Sequence, residues 1–174
     1  GSTYLNTAEA VSCAYDLASA YNTASTAICE YYLTSSDLSG VTLTSGVYCS
    51  VDGTFSIGKV SYVALDAQNI TGKVWVFQTA TTFTIGYDAS IIFKNEALSE
   101  NVYWAIGTSV SIGYASFFAG NFLVYTSIAI ASYGKLDGRL LSMAAVTFEG
   151  YSTVGLPNGT SEVIYPSLAM NIGS

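Results

Sequence analysis

Histidine is absent from this 174-residue chain, proline occurs twice, cysteine three times, and charged residues make up only 10%. Zinc and iron sites draw chiefly on imidazole and thiolate, and with no Cys-x-x-Cys pair the sequence offers no metal site and implies no cofactor. No apolar run approaches the roughly 18 residues a membrane helix needs, so no membrane partner is expected. The five cations, Lys59, Lys73, Lys94, Lys135 and Arg139, are scattered through a chain of net charge −7, which leaves nucleic acid without an electrostatic footprint. A surface so poor in charge must expose hydroxyls, methyls and aromatic rings, and such a surface suits a neutral partner such as a carbohydrate or ordered water.

Cys13, Cys29 and Cys49 allow one disulfide and one free thiol at most. Cys29 with Cys49 is the expected pair, because both lie near the junction between an N-terminal helix and the first strands; an unpaired cysteine is expected as a small buried hydrophobe. Gly1 and Ser2 read as an expression scar, so an export signal cannot be read directly. Two glycosylation sequons, Asn69-Ile70-Thr71 and Asn158-Gly159-Thr160, are compatible with secretion.

What is present is β-rich: 14 Tyr, 16 Gly and abundant Thr and Ser. One helix is predicted over residues 6–27, where Asn6 and Glu9 resemble a capping box and Val11, Ala14, Tyr15, Ala18 and Tyr21 recur at helical spacing. After Asp37 the period becomes two, and glycines punctuate short strands.

Three strand sets repeat in rotation. The most regular comprises Gly53-Thr-Phe-Ser-Ile57, Thr81-Thr-Phe-Thr-Ile85, Thr108-Ser-Val-Ser-Ile112, Thr126-Ser-Ile-Ala-Ile130 and Ala144-Ala-Val-Thr-Phe148, the last three recurring every 18 residues. A second set, apolar on both faces, contains Val47-Tyr-Cys-Ser-Val51, Val74-Trp-Val-Phe-Gln78, Val102-Tyr-Trp-Ala-Ile106, Phe122-Leu-Val-Tyr125 and Leu140-Leu-Ser-Met143. Its two buried faces make this set, with Trp75, Phe77, Tyr103 and Leu123 in it, the expected seat for the helix. A third, rougher set contains Val41–Thr44, Val63–Asp66, Ser90–Phe93, Ser116–Ala119 and Lys135–Asp137, with Thr42, Thr44, Ala64, Asp66, Ser90, Ile92, Ser116, Phe118, Lys135 and Asp137 expected outward. The pattern predicts a mostly β, three-sided β-helix with one long α-helix along one face. The whole chain, 1–174, reads as a single domain: helix, coils over 38–154, and a tail or cap over 155–174.

From Ala8 to Val154 the chain resembles the microbial ice-binding proteins typified by those of snow moulds, sea-ice diatoms and polar bacteria. The resemblance rests on Ala14-Tyr-Asp-Leu-Ala-Ser-Ala-Tyr21, Leu38-Ser-Gly-Val-Thr-Leu-Thr-Ser-Gly-Val-Tyr48, Val74-Trp-Val-Phe-Gln78, Asn101-Val-Tyr-Trp-Ala-Ile-Gly107, Phe118-Ala-Gly-Asn-Phe-Leu123, and Gly138-Arg-Leu-Leu141 followed by Ala145-Val-Thr-Phe148. It implies a right-handed β-helix that binds ice without catalysis and is secreted. Members usually carry several dozen residues before the helix that supply strands to one end of the solenoid; here the helix begins almost at once.

Strand alternation then assigns the site. With the bulky residues of the regular set inward, Thr54, Thr82, Ser109, Ser127 and Ala145 form one outward column, and Ser56, Thr84, Ser111, Ala129 and Thr147 a second. All ten are small and none is charged. Coils stack at roughly 4.7–4.9 Å and alternate residues lie about 6.5–7 Å apart, both comparable to oxygen repeats on ice. The expected partner is therefore ice, bound by a monomer, giving freezing-point depression and recrystallisation inhibition. A carbohydrate-binding or adhesin-type β-solenoid is the alternative; it would need exposed aromatic platforms, whereas Trp75 and Trp104 fall on the helix-covered set. A glycan-hydrolysing enzyme would need paired carboxylates across a cleft, and Asp52, Asp66, Asp88, Asp137 and Glu149 are dispersed.

Overall fold

The computed structural model describes residues 8–156 and the backbone of 160–163. It is built of parallel strands in curled sheets with one helix. The helix α1 spans Ala8–Ser25, ending two residues before the predicted 27; residues 6 and 7, with Asn6 of the expected capping box, lie outside the described residues, as do the sequon asparagine Asn158 and most of the tail.

The chain passes repeatedly through three strand sets. The set beneath the helix contains β1 (Tyr31–Leu33), β3 (Gly46–Ser50), β6 (Trp75–Thr79), β9 (Val102–Ile106) and the second halves of β11 (Phe117–Val124) and β13 (Lys135–Ser142). The regular set is a separate sheet of β4 (Phe55–Ile57), β7 (Thr82–Ile85), β10 (Ser109–Ile112), β12 (Ser127–Ile130) and β14 (Ala145–Phe148). The third contains β2 (Thr42–Thr44), β5 (Tyr62–Asp66), β8 (Ser90–Lys94), the first halves of β11 and β13, and β15 (Thr153–Leu156). All these pairings are parallel; only β16 (Thr160–Val163) runs antiparallel, on β15. β11 and β13 turn from the third set to the helix-covered set without a break. They do so at Gly120 and Gly138, which pair with each other; Gly120 has φ 114°, and a Cβ on Gly138 would collide with the Gly120 carbonyl.

Alternation sends Trp75, Phe77, Phe83, Trp104, Phe118 and Phe122 into one continuous interior, each essentially without solvent exposure. Trp75 and Phe77 belong to this interior, and the helix sits on the strand set that carries them, as expected. The helix packs on the opposite side of the same strands, where Leu17, Tyr21 and Ala24 meet Val76, Tyr103, Ala105, Leu123 and Leu141. The expected helical stripe is rotated accordingly: Val11, Ala14, Tyr15 and Ala18 are exposed, Tyr15 at 73%. A helix this rich in Ala and Ser has weakly contrasted faces, so its spacing did not fix which one docks.

Two links pin the helix's C-terminal end. Cys29 is disulfide-bonded to Cys49 on β3, closing a 20-residue separation with Cα atoms 6.0 Å apart, the pairing expected from the sequence. Gln78 Nε2 donates to the carbonyls of Ala24, in the last helical turn, and Ala27, just beyond it, both at 2.8 Å. Cys13 is a free thiol, exposed on α1 rather than buried.

Ala24→Asp is expected to lower stability by about 2–4 kcal/mol, because it places a charge against Ala105 and Leu123. The exposed Ala18→Asp should stay within about 0.5 kcal/mol of the parent. Thermal melts of the two variants check the docking face; an equal loss in both would contradict it.

Candidate functional site

In the regular sheet the bulky residues alternate inward. Phe55, Ile57, Phe83, Ile85, Val110, Ile112, Ile128 and Ile130 are no more than 2% exposed, while Val146 and Phe148 at the last rung are half-buried. This burial fixes the register, since a slip of one residue would turn every apolar side chain to solvent.

The register aligns Thr82 with Ser109, Ser127 and Ala145, and Ser56 with Thr84, Ser111, Ala129 and Thr147. Nine of the ten predicted residues thus stand in two paired outward columns. Thr84, Ser111, Ala129 and Thr147 are exposed; Thr54, Ser56, Thr82, Ser109, Ser127 and Ala145 are half-buried. Thr54 precedes β4, and its N–H and carbonyl are both bonded to the Ser50 hydroxyl, so it extends the first column from a corner turn.

Two features of this face escaped the sequence. The first is a third column along the corner that leads into the sheet. Thr81 N–H donates to Gly53 O, Thr108 N–H to Thr81 O, Thr126 N–H to Thr108 O and Ala144 N–H to Thr126 O. Thr81, Thr108, Thr126 and Ala144 are exposed. The hydroxyls of Thr81 and Thr108 also donate to the carbonyl one rung before, the latter at 2.7 Å, which fixes their rotamers. These residues lead each aligned repeat, but strict alternation assigns them inward; alternation fails because they sit in the turn before the strand.

The second is an extra rung. Ser56 N–H donates to Ser36 O and Leu38 N–H to Ser56 O, both at 2.8 Å, and Asp37 pairs with Ser56. The exposed Asp37 carboxylate therefore heads the second column, where it accepts from the Ser39 N–H and hydroxyl.

The third set is rougher than the regular one and differs from its predicted register. Ser116 and Phe118 are fully buried, the Ser116 hydroxyl donating to Gly113 O at 2.6 Å, and Phe117 is exposed instead. Ala64 is likewise buried. The outward row Tyr62, Ser90, Phe117, Lys135 and Thr153 mixes aromatic, hydroxyl and cationic side chains. The Asp66 carboxyl is held below its usual range first by the Asn95 carboxamide, then by the Gln68 N–H and Lys94. Burial pushes the Asp137 carboxyl up, opposed in part by the Ser99 hydroxyl; its Oδ1 is buried without a partner.

The fold therefore disfavours the Asp137 charge relative to the unfolded chain, and that charge costs stability as the pH rises from the unfolded value of 3.8 through the raised folded value. Asp137→Asn should raise neutral-pH stability modestly, by under about 1 kcal/mol after solvent screening, seen as a small rise in melting temperature. The gain should shrink as the pH falls toward 4, so melts across pH 3–7 check the sign.

The family model described as ice-binding-like matches residues 1–153. The chain is 35% identical over 136 residues to an ice-binding protein of Nostoc sp. (strain HG1), covering 77% of this chain and 49% of that one. It is 28% identical over 120 residues to an ice-binding protein of Flavobacterium frigoris (strain PS1), covering 69% and 41%. It thus spans about half the length, or less, of these curated relatives. Among solved structures it superimposes on the ice-binding protein of the Antarctic ascomycete Antarctomyces psychrotrophicus with TM-score 0.83 at 30% identity, covering 88% of this chain and 74% of that one. A second match, an ice-binding protein from an Antarctic biological consortium, has TM-score 0.81 at 30% identity, covering 87% and 68%.

Proposed function

The chain belongs to the ice-binding-like family, and from that premise we propose that it adsorbs to ice through the regular sheet, as a binding protein rather than an enzyme. The fold that accompanies this role is a right-handed, three-sided β-helix, of which the regular sheet is the flat side. The observation that carries the proposal is the paired register of small, uncharged outward residues on a sheet whose inward side chains are locked in the core.

A rigid array spaced at roughly 4.7–4.9 Å along the stack and about 6.5–7 Å across it can hold water in positions an ice lattice shares. Because the array is already ordered, little conformational entropy remains to be lost on docking. The corner column of Thr81, Thr108 and Thr126 widens the contact surface to three columns, with the hydroxyl protons of Thr81 and Thr108 already committed to the backbone. Adsorbed molecules force ice to grow as curved fronts between them, which lowers the local freezing point and slows recrystallisation. Contact with extracellular ice requires export, and the Cys29–Cys49 disulfide suits an oxidising compartment.

Thr84→Tyr and Ser111→Tyr should each abolish most freezing hysteresis, because a large side chain lifts the array from the lattice. Stability should change by about 0.5 kcal/mol or less, since both positions are exposed. Ile92→Tyr on the third set, also exposed, should retain hysteresis. Nanolitre osmometry alongside thermal melts separates the two effects; loss in Ile92→Tyr with retention in the other two would move the site to the third set.

A further inference from the structure

The sequon Asn69-Ile70-Thr71 occupies a turn between β5 and β6 that plays no part in the core or the regular sheet. Gln68 and Asn69 both have positive φ, 55° and 60°, and Ile70 N–H donates to Ala67 O at 2.9 Å, the geometry of a type I′ turn. Asn69 tolerates this conformation better than most residues. The Asn69 N–H is bonded to Asn95 O, which fixes the base of the turn, while the carboxamide is engaged by nothing among the described residues. Asn69, Ile70 and Thr71 are all exposed, the apolar Ile70 at 50%. The adjacent turn at Asn95 and Glu96 is a contrast within the same molecule: Ala97 stands two residues beyond Asn95, and the Asn95 carboxamide is spent on Asp66 Oδ1 at 2.9 Å.

We propose that Asn69 is an N-glycan acceptor whose glycan stands clear of the regular sheet. The Asn69 carboxamide nitrogen would bond to the anomeric carbon of a lipid-diphosphate-linked oligosaccharide. The anomeric C–O bond to the diphosphate breaks, the lipid diphosphate leaves with the electron pair, and the amide proton is lost to base. The turn joins the third set to the helix-covered set, so of the three sets the regular one is the one it does not border. A glycan here shields Ile70 and leaves all three outward columns bare. The Cys29–Cys49 disulfide is independent support, because disulfide formation and N-glycosylation belong to the same secretory environment.

The test is secretion of the full chain from a yeast host, followed by peptide mapping and intact mass before and after peptide N-glycosidase. The expected result is a glycan on the Asn69 peptide, removed by the enzyme with conversion of Asn69 to Asp. Thr71→Ala keeps the turn asparagine and should lose that modification; Asn69→Gly keeps the positive-φ geometry and should lose it too, both melting like the parent. Freezing hysteresis per molecule should be unchanged by deglycosylation. An unmodified Asn69 peptide in folded, secreted protein overturns the acceptor, and a hysteresis gain on deglycosylation overturns the remote placement. Occupancy is read by mass, so this outcome is independent of whether the regular sheet binds ice.

Discussion

The stacking of aromatic rings through the interior is the constraint on which the rest depends. Tyr31 lies on Tyr48 with centroids 4.8 Å apart, Tyr48 on Phe77 at 5.4 Å, Phe77 on Trp104 at 4.1 Å and Trp104 on Phe122 at 5.8 Å, all within 20° of parallel. Each ring comes from a successive rung of the helix-covered set, so the stack runs along the backbone ladder and ties its rungs together. Phe83 from the regular sheet joins it, 4.8 Å from Trp104. The indole N–H groups of Trp75 and Trp104 reach the carbonyls of Leu43 and Ala119 in the third set. Side chains of this size therefore connect the strand sets across the core and satisfy their own polar atoms in doing so.

The regular register of the separate sheet rests on that interior. Its inward Phe, Ile and Val side chains meet a packed wall, and close packing leaves no room for one rung to sink relative to the next. Outward residues inherit the regularity without making it. Surface chemistry and core packing are therefore carried by different residues, Thr84 and Ser111 exposed and Phe83 buried.

The sequence revealed the period-two sets, the inward residues and the two outward columns, because burial on a strand leaves a strong alternating signal. It was silent wherever the chain left a strand. Thr81, Thr108 and Thr126 stand in corner turns, where alternation carries no information. Ser116 turns inward onto the Gly113 carbonyl, and the ring of Phe118 packs against Phe83 and Trp104 in the core, so Phe117 rather than Phe118 faces outward. The rung at Ser36–Leu38 rests on a short contact with Ser56 and has no hydrophobic alternation of its own. The docking face of α1 was obscured by its small residues, and the disulfide and Gln78, which fix its position, act from outside the helix.

Charge placement distinguishes the two exposed strand sets more sharply than hydroxyl content does. Both carry Ser and Thr, yet the third set also carries Tyr62, Asp66, Lys94, Phe117, Lys135 and Asp137, while the paired columns of the regular set have their charge at the head, on Asp37. A charged group orients its hydration shell around itself, and water held that way cannot also occupy lattice positions. Aromatic rings of unequal height keep a planar solid from approaching all rungs at once. A sheet could meet both requirements only if its outward residues were small and neutral and its inward residues were held in the core, and these two features, found together in the regular sheet, are the reason the proposed ice contact is placed there.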